Sequence, residues 1–318
     1  MLRKVVFIFH STPLEELENM QEEIRYLNDN HLEAEIISCQ RIQDIYALMA
    51  GQTPGAGPKK PLPEQFKEDL FLCDDPSDLS FLQNEGLYTC GMIKDAASGS
   101  SFKNSRYIFS DVDDLDADSL IKAWQREAGI PWTILETDRL IIRETTPEDL
   151  DSLYYIYSDP SMTRYMEGLF PNREDELRYL NDYIEKVYHF MGFGVWSLIE
   201  KSTGELIGRA GFSSRNGFDK PELGFFIGVD WQRKGYATES CSAILDYGRK
   251  VLGFDKVQAL VKEGNDVSVH LLEKLGFKMQ GVVSIEEDIY GGSYKNQDQV
   301  SIVPEKKGNY LLLDKNLL

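Results

Sequence analysis

The sequence comprises 318 residues, which is too long for one typical domain and suits two. Its formal net charge is −19, whereas proteins that bind nucleic acid or anionic membranes are normally basic, so neither partner is expected. Hydrophobic residues make up 42% and charged residues 27%, an ordinary balance that argues against extended disorder.

The first part of the chain, residues 1–132, alternates between strand and helix patterns. The predicted elements are strands at 4–9 and 35–39, helices at 14–27 and 42–49, a strand at 70–73, a helix at 76–84, strands at 88–93 and 106–109, and a helix at 117–128. Strands that alternate with helices favour a Rossmann-like, doubly wound parallel sheet. The segment 51–63 is rich in Gly and Pro and lacks a phosphate-loop motif, so it is predicted to be a surface loop.

Residues 70–93 are similar to a late strand–helix unit of the haloacid-dehalogenase-like phosphatases. That family uses a nucleophilic aspartate after its first strand, where this sequence has Phe9-His10-Ser11-Thr12. The resemblance therefore implies a domain without phosphatase chemistry, and residues 1–132 are predicted to be non-catalytic. The acidic segment 111–118 could hold a cation, but it is more typical of a capped and solvated helix start.

The pattern changes at Gly129-Ile130-Pro131, and a second domain is predicted over residues 133–318. Its first strand, at 139–143, precedes a helix start with Thr146 as N-cap and Pro147 at the first helical position. The remaining predicted elements are a helix at 174–187, a hairpin of strands 195–199 and 206–212, a strand at 223–229, a helix at 236–252, a strand at 256–261, a helix at 266–274, and strands at 281–285 and 300–303. This order predicts a mixed α/β sheet with helices on both faces.

Cysteine usage and hydropathy bear on the compartment of the protein. The four cysteines include no CxxC pair, and the four histidines show no zinc-ligand spacing, so we expect reduced thiols and no metal. The apolar run at 5–9 is too short for the core of a signal peptide. No apolar run reaches the roughly 18 residues that a membrane span needs, and a cytoplasmic location is expected.

The joint between the strand at 223–229 and the next helix has the sequence Gln232-Arg233-Lys234-Gly235-Tyr236-Ala237. The first turn of a helix has backbone N–H groups without partners and a partial positive charge, and it binds phosphate. Gly235 lets the backbone approach a ligand closely, and Arg233 and Lys234 add positive charge. The joint therefore suits a pyrophosphate, although an ordinary turn with incidental cations would have the same composition.

The same hexapeptide matches the Q/R-x-x-G-x-G/A signature of the GNAT superfamily of N-acetyltransferases, which bind acetyl-CoA. Asn265-Asp266-Val267-Ser268 matches the N-x-x-S element of that family, and Leu275-Gly276-Phe277 matches the L-G-F that ends the same helix. Segments 135–150 and 221–240 resemble the ribosomal-protein N-acetyltransferase (RimJ/RimL-like) subgroup. The resemblance covers residues 135–303 and implies an acetyl-CoA-dependent acetyltransferase domain.

The resemblance also implies how acetyl-CoA would be held. The backbone N–H groups that would bind the pyrophosphate belong to Arg233, Lys234, Gly235, Tyr236, Ala237 and Thr238. The backbone of Ile227, Gly228 and Val229 would pair with the amides of pantetheine. Asn265 would hydrogen-bond the CoA arm, and capping the helix is an equally good role for it.

In this family an acceptor amine attacks the thioester directly, so Cys241 is predicted to be a core thiol and not a nucleophile. A glutamate at the place of Glu222 acts as base in several members, and the alternative here is a solvated carboxylate at a strand end. Many members protonate the departing thiolate with a tyrosine, but the matching position holds Leu272. Ser268 is the hydroxyl that remains for this role, unless it serves only the helix start.

The acceptor site is less well defined by the sequence. Residues 162–170 join the first two helices of the second domain, and this loop lines the acceptor site in the family. Tyr165 and Glu167 could hold a cationic amine and Trp196 could form a wall, although each could be structural. The resemblance implies transfer to a protein N-terminus or a small amine. The alternative is a non-catalytic module that binds an acyl-CoA as a sensor or for interaction.

Overall fold

The computed structural model of the chain describes residues 1–10, 12, 17, 20–45, 64–93, 102–110, 115–287, 293–294 and 306–318. These residues form two compact units, Met1–Trp132 and Thr133–Leu318. The predicted loop at 51–63, the predicted strand at 300–303 and the first half of the acidic segment at 111–118 lie outside the described residues.

The described part of the first unit contains a parallel sheet and three α-helices. Its strands are β1 (Lys4–His10), β2 (Glu33–Cys39), β3 (Asp69–Cys73), β4 (Thr89–Met92) and β5 (Ile108–Phe109). Its helices are α1 (Met20–Asp29), α2 (Pro76–Asn84) and α3 (Ala117–Glu127). The strands follow the order β2-β1-β3-β4-β5, and each neighbouring pair is parallel.

Strand β1 is buried on both faces, which makes the sheet doubly wound. Val5, Phe7 and Phe9 pack in a core that includes residues of α1 and α3, whereas Val6 and Ile8 pack in a core that includes residues of α2. All five side chains are at most 1% exposed, as is typical of a parallel sheet covered by helices on both faces. The Rossmann-like architecture predicted from the sequence is confirmed.

The described part of the second unit contains a mixed sheet with four principal helices. Its strands are β6 (Thr133–Glu136), β7 (Leu140–Arg143), β8 (Val195–Glu200), β9 (Leu206–Ser213), β10 (Glu222–Ile227), β11 (Lys256–Lys262), β12 (Lys278–Glu287) and β13 (Lys306–Asn316). Its helices are α4 (Leu150–Tyr157), α5 (Arg173–Tyr183), α6 (Tyr236–Lys250) and α7 (Asp266–Lys274). Helix α5 continues through a π-helical turn, Ile184–Tyr188, and a last α-helical turn, His189–Met191.

The strands of the second unit follow the order β12-β13-β11-β10-β9-β8-β7-β6. Two neighbours in β10 show that helices cover both faces, as predicted. Phe225 packs against a core that contains Cys241 and Ile244 of α6, whereas Phe226 packs against a core that contains Leu153 of α4. Strands β6 and β13 were not predicted.

Strands β10 and β11 separate almost as soon as they meet. They pair in parallel through Glu222 and Gln258 alone, although β10 pairs with β9 along its whole length. Strand β11 continues against β13 on its other side. The edge of β10 beyond Glu222 therefore carries backbone groups that no described strand takes up, and such groups need a partner when they are removed from water.

None of the helices in the described part of the chain combines the length and the hydropathy that crossing a bilayer requires. The four cysteines are buried and form no disulfide with one another.

In the first unit, His10 joins the end of β1 to the start of α2. Its Nδ1 lies 3.0 Å from Oδ2 of Asp78, a side chain that is 2% exposed, and its backbone N–H donates to Oδ1 of Asp74 at 2.7 Å. The hydrogen bond with Asp78 raises the pKa of His10 above its ordinary value, because it stabilises the charged imidazolium. The strength of the interaction between His10 and Asp78 therefore depends on pH.

We expect Asp78→Asn to lower the pKa of His10 toward its ordinary value of about 6.5. Because the folded pKa is the higher one, this interaction stabilises the first unit fully below the unfolded pKa, and the contribution is lost as pH rises through the folded pKa. NMR titration of the imidazoles measures the shift, with the exposed His31 as internal reference. Urea unfolding at about pH 6 and about pH 8 should show a larger difference between the two proteins at the lower pH. An identical His10 titration in both proteins would contradict the interaction.

Candidate functional site

The loop that leads from β10 to α6 has an unusual backbone. Arg233 and Gly235 both adopt the left-handed conformation, with φ of 60° and 87°. Gly235 is the N-cap of α6, and no side chain in the described residues caps that end. The N–H groups of the first turn of α6 are therefore left to an external acceptor, and the helix end is positively polarised.

Arg139 fixes this loop from outside the signature. Its Nη1 donates to the carbonyl oxygen of Lys234 at 3.0 Å, and its Nε donates to Oε2 of Glu239 at 2.7 Å. Its guanidinium lies 4.2 Å from the centre of the Tyr236 ring, within the range of a cation–π contact. Thr137 also donates to Glu239, at 2.5 Å. Side-chain contacts thus hold the end of the loop that leads into α6.

Glu239 is the centre of that network. Burial acts to raise its pKa, but the hydrogen bonds from Thr137 and Arg139 outweigh burial and hold the pKa below its ordinary value. The carboxylate is therefore charged at neutral pH and keeps Arg139 in place. Sequence reasoning missed both residues, since Arg139 lies 100 residues from Glu239 and only the fold brings them together.

The structure refines the expectation for residues 227–229. The carbonyl oxygen of Ile227 accepts from Nε2 of Gln232 at 2.9 Å, and the N–H of Gly228 donates to the carbonyl of Ile207 at 2.8 Å. Val229 is 40% exposed. Two of the expected backbone groups thus already have partners in the protein. The part of β10 that has no strand beside it on the β11 side lies nearer its beginning, at 223–226.

The start of α7 brings three of the predicted residues together. Oδ1 of Asn265 accepts the backbone N–H of Ser268 at 3.3 Å, so Asn265 caps the helix. A Cβ placed on Gly264 would lie 3.7 Å from the ring of Tyr165, which puts that ring beside the same turn. Leu272 is completely buried, so the position of the missing tyrosine belongs to the core.

Glu222 stands where β10 and β11 part, and it is not a solvated carboxylate. Its side chain is buried, and Oε2 accepts from Nε of Arg215 at 2.6 Å. Burial acts to lower the pKa of Arg215, but the bond to Glu222 and the charge of Glu222 raise it overall. The exposed Glu167 also acts electrostatically on Arg215. Glu222 therefore lies in a buried ion pair at the point where the two strands part.

Two candidates from the sequence lie in the core. Trp196 is completely buried and packs edge-on against Phe212 and Tyr247. It therefore offers no surface to an acceptor, and the expectation that it forms a wall of the acceptor site is corrected. Cys241 is also completely buried, as predicted, and burial raises its pKa to about 12. A thiol in that environment is inert as a nucleophile.

His10, Asp75 and Asp78 of the first unit could ligate a cation, since their possible ligand atoms lie within 4.8 Å of one another. Each already has a partner in the protein. Asp75 caps α2 by accepting the N–H groups of Ser77 at 2.8 Å and Asp78 at 3.2 Å, and His10 bonds Asp78. The fold accounts for these contacts, so the cluster is not assigned to a metal.

Comparison with known proteins places the second unit in a class. Residues 139–278 match the sequence profile of the acetyltransferase (GNAT) domain. An uncharacterised N-acetyltransferase of Bacillus subtilis, YoaA, is 32% identical over 157 residues, which cover 47% of this chain and 85% of that protein. The ribosomal protein uS5-alanine N-acetyltransferase of Escherichia coli is 28% identical over 165 residues, 48% of this chain and 82% of that protein.

Two further similarities complete the comparison. The spermidine N(1)-acetyltransferase of Escherichia coli is 26% identical over 162 residues, which cover 51% of this chain and 84% of that protein. A solved structure of a GNAT-family acetyltransferase from Bacillus anthracis has a TM-score of 0.44 and 22% identity, and the match covers 57% of this chain and 98% of that one.

The second unit is therefore an acyltransferase domain. The chain belongs to the GNAT family of acetyltransferases, whose members use acetyl-CoA as cosubstrate. The profile lies wholly within the second unit, and the resemblance of residues 70–93 to haloacid-dehalogenase-like phosphatases receives no support from these comparisons.

We expect Arg139→Ala to raise the dissociation constant for acetyl-CoA by about tenfold, since it removes charge-assisted hydrogen bonds that hold the phosphate-suited loop. Isothermal titration calorimetry measures the change directly. The matched control is Lys250→Ala, which removes an exposed ion pair with Asp246 at the other end of α6 and should leave binding unchanged. Unaltered binding by the Arg139 variant would show that the loop keeps its shape without this contact.

Proposed function

We propose that this chain transfers the acetyl group of acetyl-CoA to a primary amine, on a protein N-terminus or a small molecule. The observation that carries the proposal is the edge of β10 that β11 leaves unpaired. One end of this edge leads to the left-handed loop before α6, and the other end begins at the carboxylate of Glu222. A phosphate-binding element, an extended backbone edge and a base therefore follow one another in a line.

The residues present fit acetyl-CoA. The uncapped start of α6 supports a pyrophosphate on the N–H groups of 233–238, with Arg233 and Lys234 adding charge. The edge of β10 offers backbone donors and acceptors to the amides of pantetheine, as an added strand would use them. Asn265 and Ser268 stand at the start of α7, the helix that follows β11 in the chain. Acetyl-CoA supplies the thioester whose acetyl carbon the amine attacks.

Glu222 is proposed to take the proton that the amine loses. A protein α-amine has a pKa near 8, so about a tenth of it is already neutral at pH 7, whereas a lysine amine needs some 4–5 kcal/mol of help. As the carbon–nitrogen bond forms and the carbon–sulfur bond breaks, the proton passes to Glu222 directly or through a water molecule. Arg215 holds the carboxylate of Glu222 in position before this step.

Ser268 is proposed to return a proton to the departing sulfur. Its backbone N–H is held by Asn265, and its hydroxyl makes no hydrogen bond within the described part of the chain. The hydroxyl is thus available to a ligand. Two further residues are proposed to border the acceptor. The ring of Tyr165 lies beside Gly264, and Glu167 acts electrostatically on Arg215. Relatives that act on the alanine of ribosomal protein uS5 and on spermidine support an amine acceptor.

Residues 1–132 are proposed to form a non-catalytic domain, and residues 133–318 to form the catalytic one. The first strand of the first unit ends at His10 and contains no aspartate, and the ligand-type residues beside it are engaged in fold contacts.

We expect Glu222→Gln to lower kcat by about 10²- to 10⁴-fold at pH 7, while acetyl-CoA binding is kept, because the amide cannot accept the proton. Thiol release with a panel of peptide N-termini, amino acids and polyamines measures transfer. The control is Glu273→Gln, an exposed glutamate of α7, which should match the wild type. Acetyl-CoA binding without transfer by the wild type to any acceptor would favour the sensor alternative.

We expect Ser268→Ala to lower kcat by at least about tenfold, with little change in the acetyl-CoA dissociation constant, because a proton donor acts only as the sulfur departs. Ser268→Thr keeps the hydroxyl and should recover part of the loss. Single-turnover kinetics at saturating acetyl-CoA separate this step from binding. Equal rates for the Ala variant and the wild type would leave the leaving group to be protonated by solvent.

A further inference from the structure

Arg209 is a cation that the proposed mechanism does not use. It lies on β9 and is only half-buried as a whole residue, but its Nε is fully buried and has no hydrogen-bond partner among the described residues. Its Nη2 donates to the carbonyl oxygen of Val195 at 2.8 Å. No carboxylate in the described part of the chain forms an ion pair with it, which sets it apart from Arg215, whose guanidinium holds Glu222 at 2.6 Å.

The strand register puts this cation on the same face of the sheet as Glu222. Three directly opposed pairs follow one another along β9 and β10, namely Arg209 with Phe226, Gly211 with Gly224, and Ser213 with Glu222. Opposed residues of antiparallel strands project to one face, and alternate residues of a strand share that face. The guanidinium of Arg209 and the carboxylate of Glu222 therefore project to the same side.

The middle pair is open at Gly224, although Gly211 packs against the backbone of Gly194 and Val195. A Cβ placed on Gly224 would have no heavy atom within 4 Å. Val195 stands opposite Gly211 on β8, so the bond from Arg209 to the Val195 carbonyl brings the guanidinium back to the level of the middle pair. Successive pairs on one face are about 7 Å apart, so the cation lies about one step from the level of Glu222.

The surroundings compensate the charge of Arg209 only in part. The guanidinium lies 5.6 Å from the centre of the Tyr183 ring, and Tyr157 stacks edge-on against Phe226, the residue opposite Arg209. Glu176 acts on it electrostatically, but its Oε2 accepts the N–H of Phe170 at 2.8 Å. A cation withdrawn from water is poorly stabilised without an anionic partner, so this one is poised to accept an anion from a ligand.

We infer that Arg209 binds an anionic group of the acceptor, a carboxylate or a phosphate that lies a few bonds from the amine to be acetylated. The inference rests on the proposed function, since it takes Glu222 as the place of the amine. A guanidinium suits both anions because its donors match their paired oxygens. An amine with such an anion would span from the level of Glu222 to the level of Gly224, and a polyamine would meet a like charge there.

The test compares paired acceptors of which one carries the anion and the other lacks it. The pairs are free amino acids against their carboxamides, and phosphoethanolamine against ethanolamine, with spermidine as the cationic case. In the wild type, kcat/KM should be at least about tenfold higher for the anionic member of one pair, as expected for a charge-assisted contact. The pair that responds identifies the anion as a carboxylate or a phosphate.

Arg209→Gln should abolish this preference, and Arg209→Lys should keep part of it. Arg249→Gln, an exposed arginine near the end of α6, is the matched control and should keep all of it. Because the preference is a ratio measured within one protein, loss of folded protein does not affect it. A residue that only supports the fold would lower the rates for both members of a pair equally.

Equal use of charged and neutral members by the wild type would overturn the inference, and so would a preference that persists in Arg209→Gln. If Arg209→Gln does not fold, two other results decide whether the inference holds. They are the preference of the wild type and the extent to which Arg209→Lys keeps it. Acetyl-CoA binding without transfer to any amine would instead refute the proposed function. In that case calorimetric binding of the same acceptor pairs to the CoA-bound protein tests Arg209 separately, and equal affinity for both members would refute its role.

Discussion

The organisation of the second unit depends on a single backbone constraint, the separation of β10 from β11 after one pair of residues. Within a sheet, strands normally satisfy each other along their length. Here β11 turns to β13 and leaves β10 with one partner, so a row of donors and acceptors is exposed in the middle of a sheet and not at its rim. An extended ligand can enter the protein at that place without displacing a strand, and helices α6 and α7 border it because they flank β11 in the chain.

Two ion pairs lie at the two ends of this opening. At one end the Arg139–Glu239 ion pair holds the loop before α6, and at the other end the Arg215–Glu222 ion pair holds a carboxylate in place. Both pairs are partly buried, where an ion pair is screened less by salt than it is at the surface. Each pair is neutral in sum, so neither adds negative charge to this opening in a chain whose net charge is −19.

Local signals in the sequence were enough for most of the helices and for the order of most strands. The helix predicted at 42–49 is a short 3-10 turn at Ile42–Asp44, and residues 46–49 lie outside the described residues. Helices α2 and α7 have the predicted bounds because Asp75 and Asn265 cap their starts through side-chain oxygens. The positions of the motif residues followed from the same signals. The expectation for Trp196 failed because its apolar type does not show which face of β8 it occupies. The partners of Glu222 and Arg209 could not be predicted from the sequence, because strand register sets them. Contacts between residues that are distant in sequence exist only once the sheet has formed, so Arg139 could not be linked to Glu239 beforehand.

The left-handed backbone at Arg233 lowers the stability of the fold, while its side chain serves the proposed binding of acetyl-CoA. A non-glycine residue in that conformation costs roughly 1–2 kcal/mol, a strain that glycine would relieve. Glycine there, however, would remove a cation from the loop that we propose binds the anionic cosubstrate. An engineer who selects variants of this protein for heat resistance alone would thus be led toward a more robust but less effective enzyme, whereas selection for turnover would retain the strained arginine.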